Sequence, residues 1–167
     1  SITTQSVRML QSQDASVYIS WQRETMPHFV RNADGEEVHF VHQGRGRFET
    51  DYGVLPYEPG DYVVIPKGTT YRTHVDSGPS FFLVVETPVA MVVPERGALG
   101  QHALFDKGVL LAPELKPVEP VGTAGRTWEV HVKHEGGWTK VIYPFYPMDV
   151  VGWKGDLWVA KLNVRDI

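Results

Sequence analysis

Chain reversals at short intervals are the feature that most constrains this sequence. Between residues 32 and 74, glycine, proline or aspartate follows each short run of β-branched and aromatic residues. Turns are expected at residues 51–53 (DYG), 58–61 (EPGD) and 66–68 (PKG), because these residue types favour tight reversals. A helix usually needs about 10–12 residues without such breaks. The stretch therefore predicts short strands folded back on one another.

Alternation within residues 37–43 places successive side chains on opposite faces of one strand. One face is expected to carry Glu37, His39 and Val41, and the other Val38, Phe40 and His42. Gly44 and Gly46 are expected to end this strand, since glycine weakens a strand interior. Residues 62–65 predict the next strand.

Strands are also predicted on both sides of this stretch. Residues 16–21 (SVYISW) alternate between polar and apolar, whereas the residues before them predict only coil or a short helix-like segment. Residues 77–79 (SGP) predict a turn. The apolar run 80–86 (SFFLVVE) predicts a strand buried on both faces in the centre of a sheet.

The second half of the chain predicts an irregular segment followed by a hairpin. Residues 95–127 are rich in glycine and proline, and we expect a long ordered excursion over the outer surface of the sheet. Its apolar residues need a packing partner: Phe105, Val109, Leu110, Leu111 and Leu115. Residues 128–133 and 138–143 then alternate on either side of a turn at 135–137, which predicts a β-hairpin.

Composition excludes several classes of protein. A chain of 167 residues that is 42% hydrophobic can bury one well-packed core. Its net charge of −4 and the absence of a basic run argue against nucleic-acid binding. No apolar run reaches the roughly 20 residues that span a bilayer, and no signal-peptide pattern opens the chain. The lack of cysteine excludes disulfides and thiolate ligands and fits a cytoplasmic protein.

Two spacings resemble the motifs of the cupin superfamily. Glu37 precedes Gly44 by the spacing of the acidic ligand and glycine in the first motif, and Gly60, Pro66 and Gly68 match the second motif, G-x5-P-x-G. The resemblance implies an all-β fold, a cupin-type double-stranded β-helix (jelly-roll) barrel, here with a long irregular excursion and an added β-hairpin. The histidine expected after Gly68 is replaced by Tyr71.

The two histidines that the first motif places before Glu37 are also missing, because Val30, Arg31, Asn32 and Ala33 occupy those positions. The resemblance therefore implies that this barrel does not bind a metal ion in the usual way. An unusual set built from Glu37, His39, His28 and His74 has the right ligand types and stays open. The alternative for Glu37 is a hydrogen bond to a turn amide or to an arginine such as Arg45 or Arg47.

A more specific resemblance comes from residues 147–155 (PMDVVGWKG). They resemble the segment of homogentisate 1,2-dioxygenases that joins an N-terminal barrel to a catalytic C-terminal barrel. Other pieces agree in order: RNADG at 31–35, PGDYVVIPKGTTYR at 59–72, the segment 105–115, and a tryptophan-led hairpin carrying Lys140. The resemblance implies one cupin-like domain over 1–167, the N-terminal half of a two-cupin protein. Its parts are a barrel core at about 16–90, the excursion 95–127, and the hairpin with a connecting segment at 128–167.

The same resemblance implies a function for the longer protein. Homogentisate dioxygenases cleave an aromatic ring with Fe(II), which two histidines and a glutamate of the C-terminal barrel hold. The ligands are then expected beyond Ile167, with no iron on this chain and no activity of the chain alone. The implied partners are an aromatic acid substrate, oxygen and the C-terminal cupin. A homo-oligomer is also expected, because an isolated half would expose apolar surface.

Lys154 occupies the position at which the family carries a histidine thought to act as acid and base on the substrate phenol. A lysine can do this only if burial lowers its pKa from about 10.4 toward neutrality. The alternative is a solvated lysine in a turn. For the whole chain, the alternative function is a metal-free cupin that binds a small molecule or a partner without catalysis.

Overall fold

The computed structural model describes residues 6–92, 107–114, 125–148 and 159–166. Within these ranges the regular structure is ten strands and two short 3-10 helices, Lys107–Val109 and Val164–Asp166. This confirms the predicted all-β fold. The strands are β1 Ser6–Gln11, β2 Ser16–Gln22, β3 Phe29–Asn32, β4 Glu36–Thr50, β5 Gly53–Tyr57, β6 Asp61–Ile65, β7 Thr70–Thr87, β8 Trp128–His134, β9 Gly137–Tyr143 and β10 Ala160–Asn163.

All ten strands belong to one sheet, ordered β10-β6-β4-β7-β3-β8-β9 along its main path. From β7 the sheet also continues through β2 to β1, and β5 pairs with β4. The β3 and β8 strands run parallel, and the other pairs are antiparallel. Among the described residues the pairing does not close into a ring. The sheet bends around a core whose largest fully buried rings are Phe29, Phe48, Tyr71 and Phe82.

Two long strands, β4 and β7, organise this sheet and correct two predictions. Strand β4 does not end at Gly44 or Gly46, and residues 77–79 lie inside β7 rather than in a turn. The register between the two strands shifts three times between Val41 and Gly46. Such bulges let a strand bend without ending. Glycine and proline therefore mark bends here, where the sequence suggested breaks.

The sheet edge and the burial of β7 also differ from expectation. The residues before Ser16 form a strand, β1, that pairs with β2 at the edge of the sheet. The prediction of coil was wrong because pairing with β2 decides the conformation of a segment with little pattern of its own. In β7, Phe82 and Val84 are buried but Leu83 is 38% exposed. Only one face of that run is buried, because no second layer covers the other among the described residues.

Other predictions are confirmed. The predicted strand at residues 16–21 is β2, and the turns at 51–53, 58–61 and 66–68 are observed. The hairpin of β8 and β9 turns at Glu135 and Gly136. In β4, Glu37, His39 and Val41 share the buried face, as the alternation predicts.

The excursion is described only between residues 107 and 114. There, Leu111 forms an isolated bridge with Lys161 of β10, and Glu114 forms one with Val54 of β5. The segment thus lies along strand edges by backbone hydrogen bonds, and Leu111 is exposed. Phe105 and Leu115 lie outside the described residues.

Apolar rows cross the outer face of the sheet over six strands. Directly paired residues share a face, so the register defines two rows in the strand order β1, β2, β7, β4, β6, β10. The first row is Val7, Ile19, Leu83, Phe40, Tyr62 and Leu162, and the second is Leu10, Val17, Val85, Val38, Val64 and Ala160. Val7 is 57% and Leu10 68% exposed. A sheet with apolar residues on both faces is typical of a sheet that packs against something on each side.

Two glycines give a test of this architecture. Gly68 has a φ of 83° and open space around it, so Gly68→Ala should cost only the strain of the left-handed region, about 1–2 kcal/mol. A methyl group on Gly46 would lie 2.0 Å from the carbonyl oxygen of His74 and 2.6 Å from the Tyr57 hydroxyl. Gly46→Ala should therefore lower the free energy of unfolding in urea by more than Gly68→Ala does.

Gly137→Ala is the matched control, because the nearest atom to its added methyl group is at an ordinary 3.5 Å. Equal stability of the Gly46→Ala and Gly137→Ala variants would contradict the close approach of β4 to β7.

Candidate functional site

The carboxylate of Glu37 is the centre of a buried polar cluster. Asn32 Nδ2 donates to Oε1 at 2.9 Å, and Oε2 accepts from His39 Nε2 at 2.9 Å and from the Tyr71 hydroxyl at 2.6 Å. The three donors come from the end of β3, from β4 and from β7. All four side chains belong to buried residues. The acidic position of the cupin motif is therefore surrounded by hydrogen-bond donors of the protein itself.

These contacts determine the charge of the cluster. Burial alone raises the pKa of Glu37, but the hydrogen bonds from His39, Tyr71 and Asn32 outweigh it and lower the pKa below its usual value. Burial and the neighbouring Glu37 charge raise the pKa of Tyr71 well above that of a free phenol. At neutral pH the cluster thus pairs an ionised carboxylate with a neutral phenol that donates to it.

The four candidate metal ligands do not converge. His39 contacts Glu37, but the ring of His28 stacks on that of His131, with centroids 3.6 Å apart and planes 12° from parallel. His74 instead bonds Glu49. Within the described ranges, no three histidine, aspartate or glutamate side chains are grouped so that they could hold a metal ion.

The predicted arginine partners of Glu37 were wrong. Arg45 pairs with Glu58 at 2.5 Å and Arg47 with Asp76 at 2.5 Å, both at exposed sites. Both arginines follow the first register shift of β4, which changes the direction in which this part of the strand faces. The bulges therefore separate Arg45 and Arg47 from the buried face that Glu37 occupies.

A second buried carboxylate, Glu49, was missed by sequence reasoning. It accepts hydrogen bonds from Arg72 Nη2 at 2.8 Å, from His74 Nε2 at 2.6 Å and from the Tyr146 hydroxyl. Burial raises the pKa of Glu49, but the bond from His74 and the charge of Arg72 lower it below its usual value. Arg72 and Glu49 are directly paired across β7 and β4. Only the strand register could have predicted that Arg72 and Glu49 are paired. The bulges in β4 shift this register, so it could not be derived from the sequence.

An open cavity of about 430 Å³ adjoins Glu37. Tyr71 and Glu37 contribute to it beside residues of β1, β2, β7 and the β8–β9 hairpin, among them Arg8, Tyr18, Glu86, Lys133 and Trp138. Lys133 Nζ lies 2.5 Å from both carboxylate oxygens of Glu86. Burial lowers the pKa of Lys133, but the hydrogen bonds and charge of Glu86 outweigh it and raise the pKa. Nothing in the sequence predicted this cavity, because its walls come from distant strands.

Lys154, the predicted acid and base, lies outside the described residues. Its role therefore stays a prediction. No helix in the described part of the chain is long and apolar enough to cross a membrane.

Comparison with known proteins places this architecture in a family. Residues 2–163 match the family model described as "Homogentisate 1,2-dioxygenase N-terminal". The chain belongs to this family. The resemblance first seen at residues 147–155 is thereby confirmed.

Relatives in the homogentisate dioxygenase family are much longer than this chain. A homogentisate 1,2-dioxygenase of Nitrobacter hamburgensis is 33% identical over 152 residues, which cover 90% of this chain and 33% of that protein. A homogentisate 1,2-dioxygenase of Bradyrhizobium diazoefficiens is 34% identical over the same shares. A putative dioxygenase of Saccharolobus solfataricus is 31% identical over 83% of this chain and 36% of its own length. The chain thus spans about a third of the length of these relatives.

Among solved structures, part of the chain is similar to cupins. A cupin protein from Bacteroides fragilis aligns with a TM-score of 0.45 and 20% identity, over 54% of this chain and 81% of its own. A cupin-2 domain protein from Shewanella frigidimarina aligns with a TM-score of 0.44 and 17% identity, over 49% and 78%.

The bond from Tyr71 to Glu37 can be tested by Tyr71→Phe. The buried carboxylate would lose one of three donors, which should lower the free energy of unfolding by about 1–3 kcal/mol in urea at pH 7. Tyr62→Phe is the control, since Tyr62 is half-buried on the outer face, and it should change stability by less than about 0.5 kcal/mol. A Tyr71→Phe variant as stable as the control would show that the phenol contributes little.

The stacked histidines predict a pH dependence. Burial, followed by the charge of His131, lowers the pKa of His28 from 6.5 to about 4. Between these values the unfolded chain takes up a proton that the folded chain does not. The free energy of unfolding should therefore fall as the pH drops from about 6.5 to 4, by about 1–3 kcal/mol.

A His28→Gln variant should lose this part of the pH dependence, whereas His134→Gln, at an exposed histidine beside the hairpin turn, should keep it. Urea unfolding at several pH values measures both. Equal pH profiles for the two variants would contradict the assignment to His28.

Proposed function

We propose that this chain is the N-terminal cupin part of a ring-cleaving oxygenase resembling homogentisate 1,2-dioxygenase, acting on a dihydroxylated aromatic acid. The observation that carries the proposal is the match of residues 2–163 to the N-terminal family. In the proposal, residues 1–167 form one cupin-like domain, the N-terminal half of a two-cupin protein. This half maintains the fold and shapes one wall of the active site.

The iron ligands are proposed to lie beyond Ile167. Fe(II) in oxygenases of this kind is held by two histidines and one carboxylate, with positions left open for substrate and oxygen. The described residues do not fit such a set: Glu37 has a single histidine neighbour, His39, which is already bonded to it. Asn32 and Tyr71 take up further lone pairs of the same carboxylate. This occupied carboxylate supports placing the metal site in another part of the protein.

The proposed partners are a C-terminal cupin domain and further copies of the protein. The two apolar rows on the outer face support this, because they place apolar residues side by side across six strands, with Val7, Leu10 and Leu83 exposed. A stable interface usually buries about 800 Å² on each partner, with an apolar centre. A cytoplasmic location is part of the same proposal and fits the absence of cysteine.

Lys154 is the residue proposed to act on the substrate. Its amine would exchange a proton with the substrate phenol, which requires a site dry enough to lower the pKa of the lysine toward neutrality. The support for this proposal is the position of Lys154 in the family pattern. Among the described residues, Glu49, Arg72 and Tyr146 fix the chain eight positions before Lys154 in the sequence.

The alternative function is a metal-free cupin that binds a small molecule or a partner without catalysis. The cavity of about 430 Å³ beside Glu37 favours it, because this volume is typical of small-molecule sites. The two functions differ in one observable property of the expressed gene product: whether a second cupin rich in histidine and glutamate is joined to these residues.

Oxygen uptake with homogentisate and gentisate tests the proposal. The chain of 167 residues is expected to show no uptake and no stoichiometric iron, because the residues that the structure describes hold no complete ligand set. The same residues joined to a C-terminal cupin with two histidines and a glutamate should consume oxygen with one of these substrates. In that protein, Lys154→Met should lower kcat by about 100-fold or more, as loss of a general acid or base does.

Lys67→Met, at an exposed turn, is the control for Lys154→Met and should leave turnover unchanged. Uptake by the short chain would contradict the placement of the chemistry beyond Ile167. Full activity of Lys154→Met would contradict the acid/base role and favour the alternative, a solvated lysine in a turn.

A further inference from the structure

The cavity beside Glu37 has walls of different chemical character. Strand β1 contributes Ser6 and Arg8, and the β8–β9 hairpin contributes Lys133 and Trp138. Tyr18 of β2, Val30 of β3 and Val84 of β7 add ring and methyl surface. The cavity therefore has a mixed lining. The rings and methyl groups of Tyr18, Val30, Val84 and Trp138 lie beside polar and charged groups from β1, the hairpin, β4 and β7.

The acidic groups of this cavity already have donors. Glu37 accepts three hydrogen bonds, and both oxygens of Glu86 contact Lys133. Asp34 accepts from the backbone amides of Glu135 at 2.6 Å and Gly136 at 2.9 Å. A cationic ligand would have to compete with these donors for the carboxylate oxygens.

The hydrogen-bond donors on β1, unlike the acidic groups, have no partners among the described residues. Within the described residues, the guanidinium of Arg8 has no hydrogen bond and no ion pair. The hydroxyl of Ser6 is shielded from solvent and also lacks a partner there. The hydroxyls of Ser20, Thr69 and Thr73 also lack a partner, but of these four only Ser6 lines the cavity, where a bound molecule or water can pair with it. Arg8 adds a fork of donors that matches a carboxylate.

We propose that this cavity binds a small organic carboxylate with a planar apolar body. The carboxylate pairs with Arg8 and accepts from Ser6, and the apolar body lies against Tyr18 and Trp138. The site holds no metal ligand set and needs none. It therefore goes beyond the proposed ring cleavage and stands whether or not that proposal holds.

Binding of phenylacetate to the 167-residue chain tests the proposal. Calorimetric titration should show saturable binding, and the amide NMR signals of Ser6, Arg8 and Gly136 should shift. Phenylacetamide, which lacks the charge, and acetate, which lacks the ring, should each bind at least about tenfold more weakly, as should inorganic phosphate. Arg8→Gln should weaken phenylacetate binding by a similar factor, and Ser6→Ala by less.

Arg45→Gln is the matched control, because Arg45 is also exposed but pairs with Glu58 and does not line the cavity. It should bind phenylacetate as the unmodified chain does. Unchanged thermal unfolding of Arg8→Gln establishes that a loss of binding is not a loss of fold. Equal binding of phenylacetate and phenylacetamide, full binding by Arg8→Gln, or no saturation at high millimolar concentrations would each overturn the proposal.

Discussion

A buried carboxylate needs compensation, and in this protein Glu37 obtains it from three separate elements. An unpaired charge in the interior costs several kcal/mol, so Asn32, His39 and Tyr71 must hold their positions together. Asn32 also uses its oxygen to accept from the amides of Asp34 and Gly35, which shapes the turn between β3 and β4. The charge of Glu37 thereby couples strands β3, β4 and β7 and the turn between β3 and β4.

Other buried carboxylates also need hydrogen-bond donors, and these donors connect distant segments of the chain to the sheet. Asp61, at the start of β6, accepts from Lys161 at 3.0 Å and from Asn163 at 2.9 Å, which fixes β10 at the sheet edge. Glu49 accepts from Tyr146, beyond the hairpin, while the guanidinium of Arg72 lies 4.5 Å from the centre of the Phe29 ring. Each buried acid thus fixes a segment distant in sequence. Strands such as β10 pair over only a few residues, so backbone pairing alone specifies their position weakly. Specific polar contacts of this kind then define one arrangement of these segments.

Local pattern predicted much of the fold, and tertiary register decided the rest. Alternation at residues 37–43 and the turn residues at 58–61 depend only on neighbours, so strands and reversals were found there. The continuity of β4 through Gly44 and Gly46 depends on β7 supplying a partner strand across the bulges. Because each bulge changes which residues share a face, the pairing of Arg72 with Glu49, and hence the second cluster, was beyond sequence reasoning. For Lys154 the family resemblance remains the basis of the prediction.

The tyrosine at position 71 contributes to the structural role of Glu37. Tyr71 stands where the family pattern places a histidine, and its hydroxyl lies 2.6 Å from Glu37. A histidine nitrogen and a carboxylate can share a cation, but a neutral phenol can only donate to that carboxylate. With Asn32 donating to the other oxygen, Glu37 is ionised and directed toward the protein. Glu37 then stabilises the sheet. On β1, the shielded hydroxyl of Ser6 and the exposed guanidinium of Arg8 have no hydrogen-bond partner among the described residues.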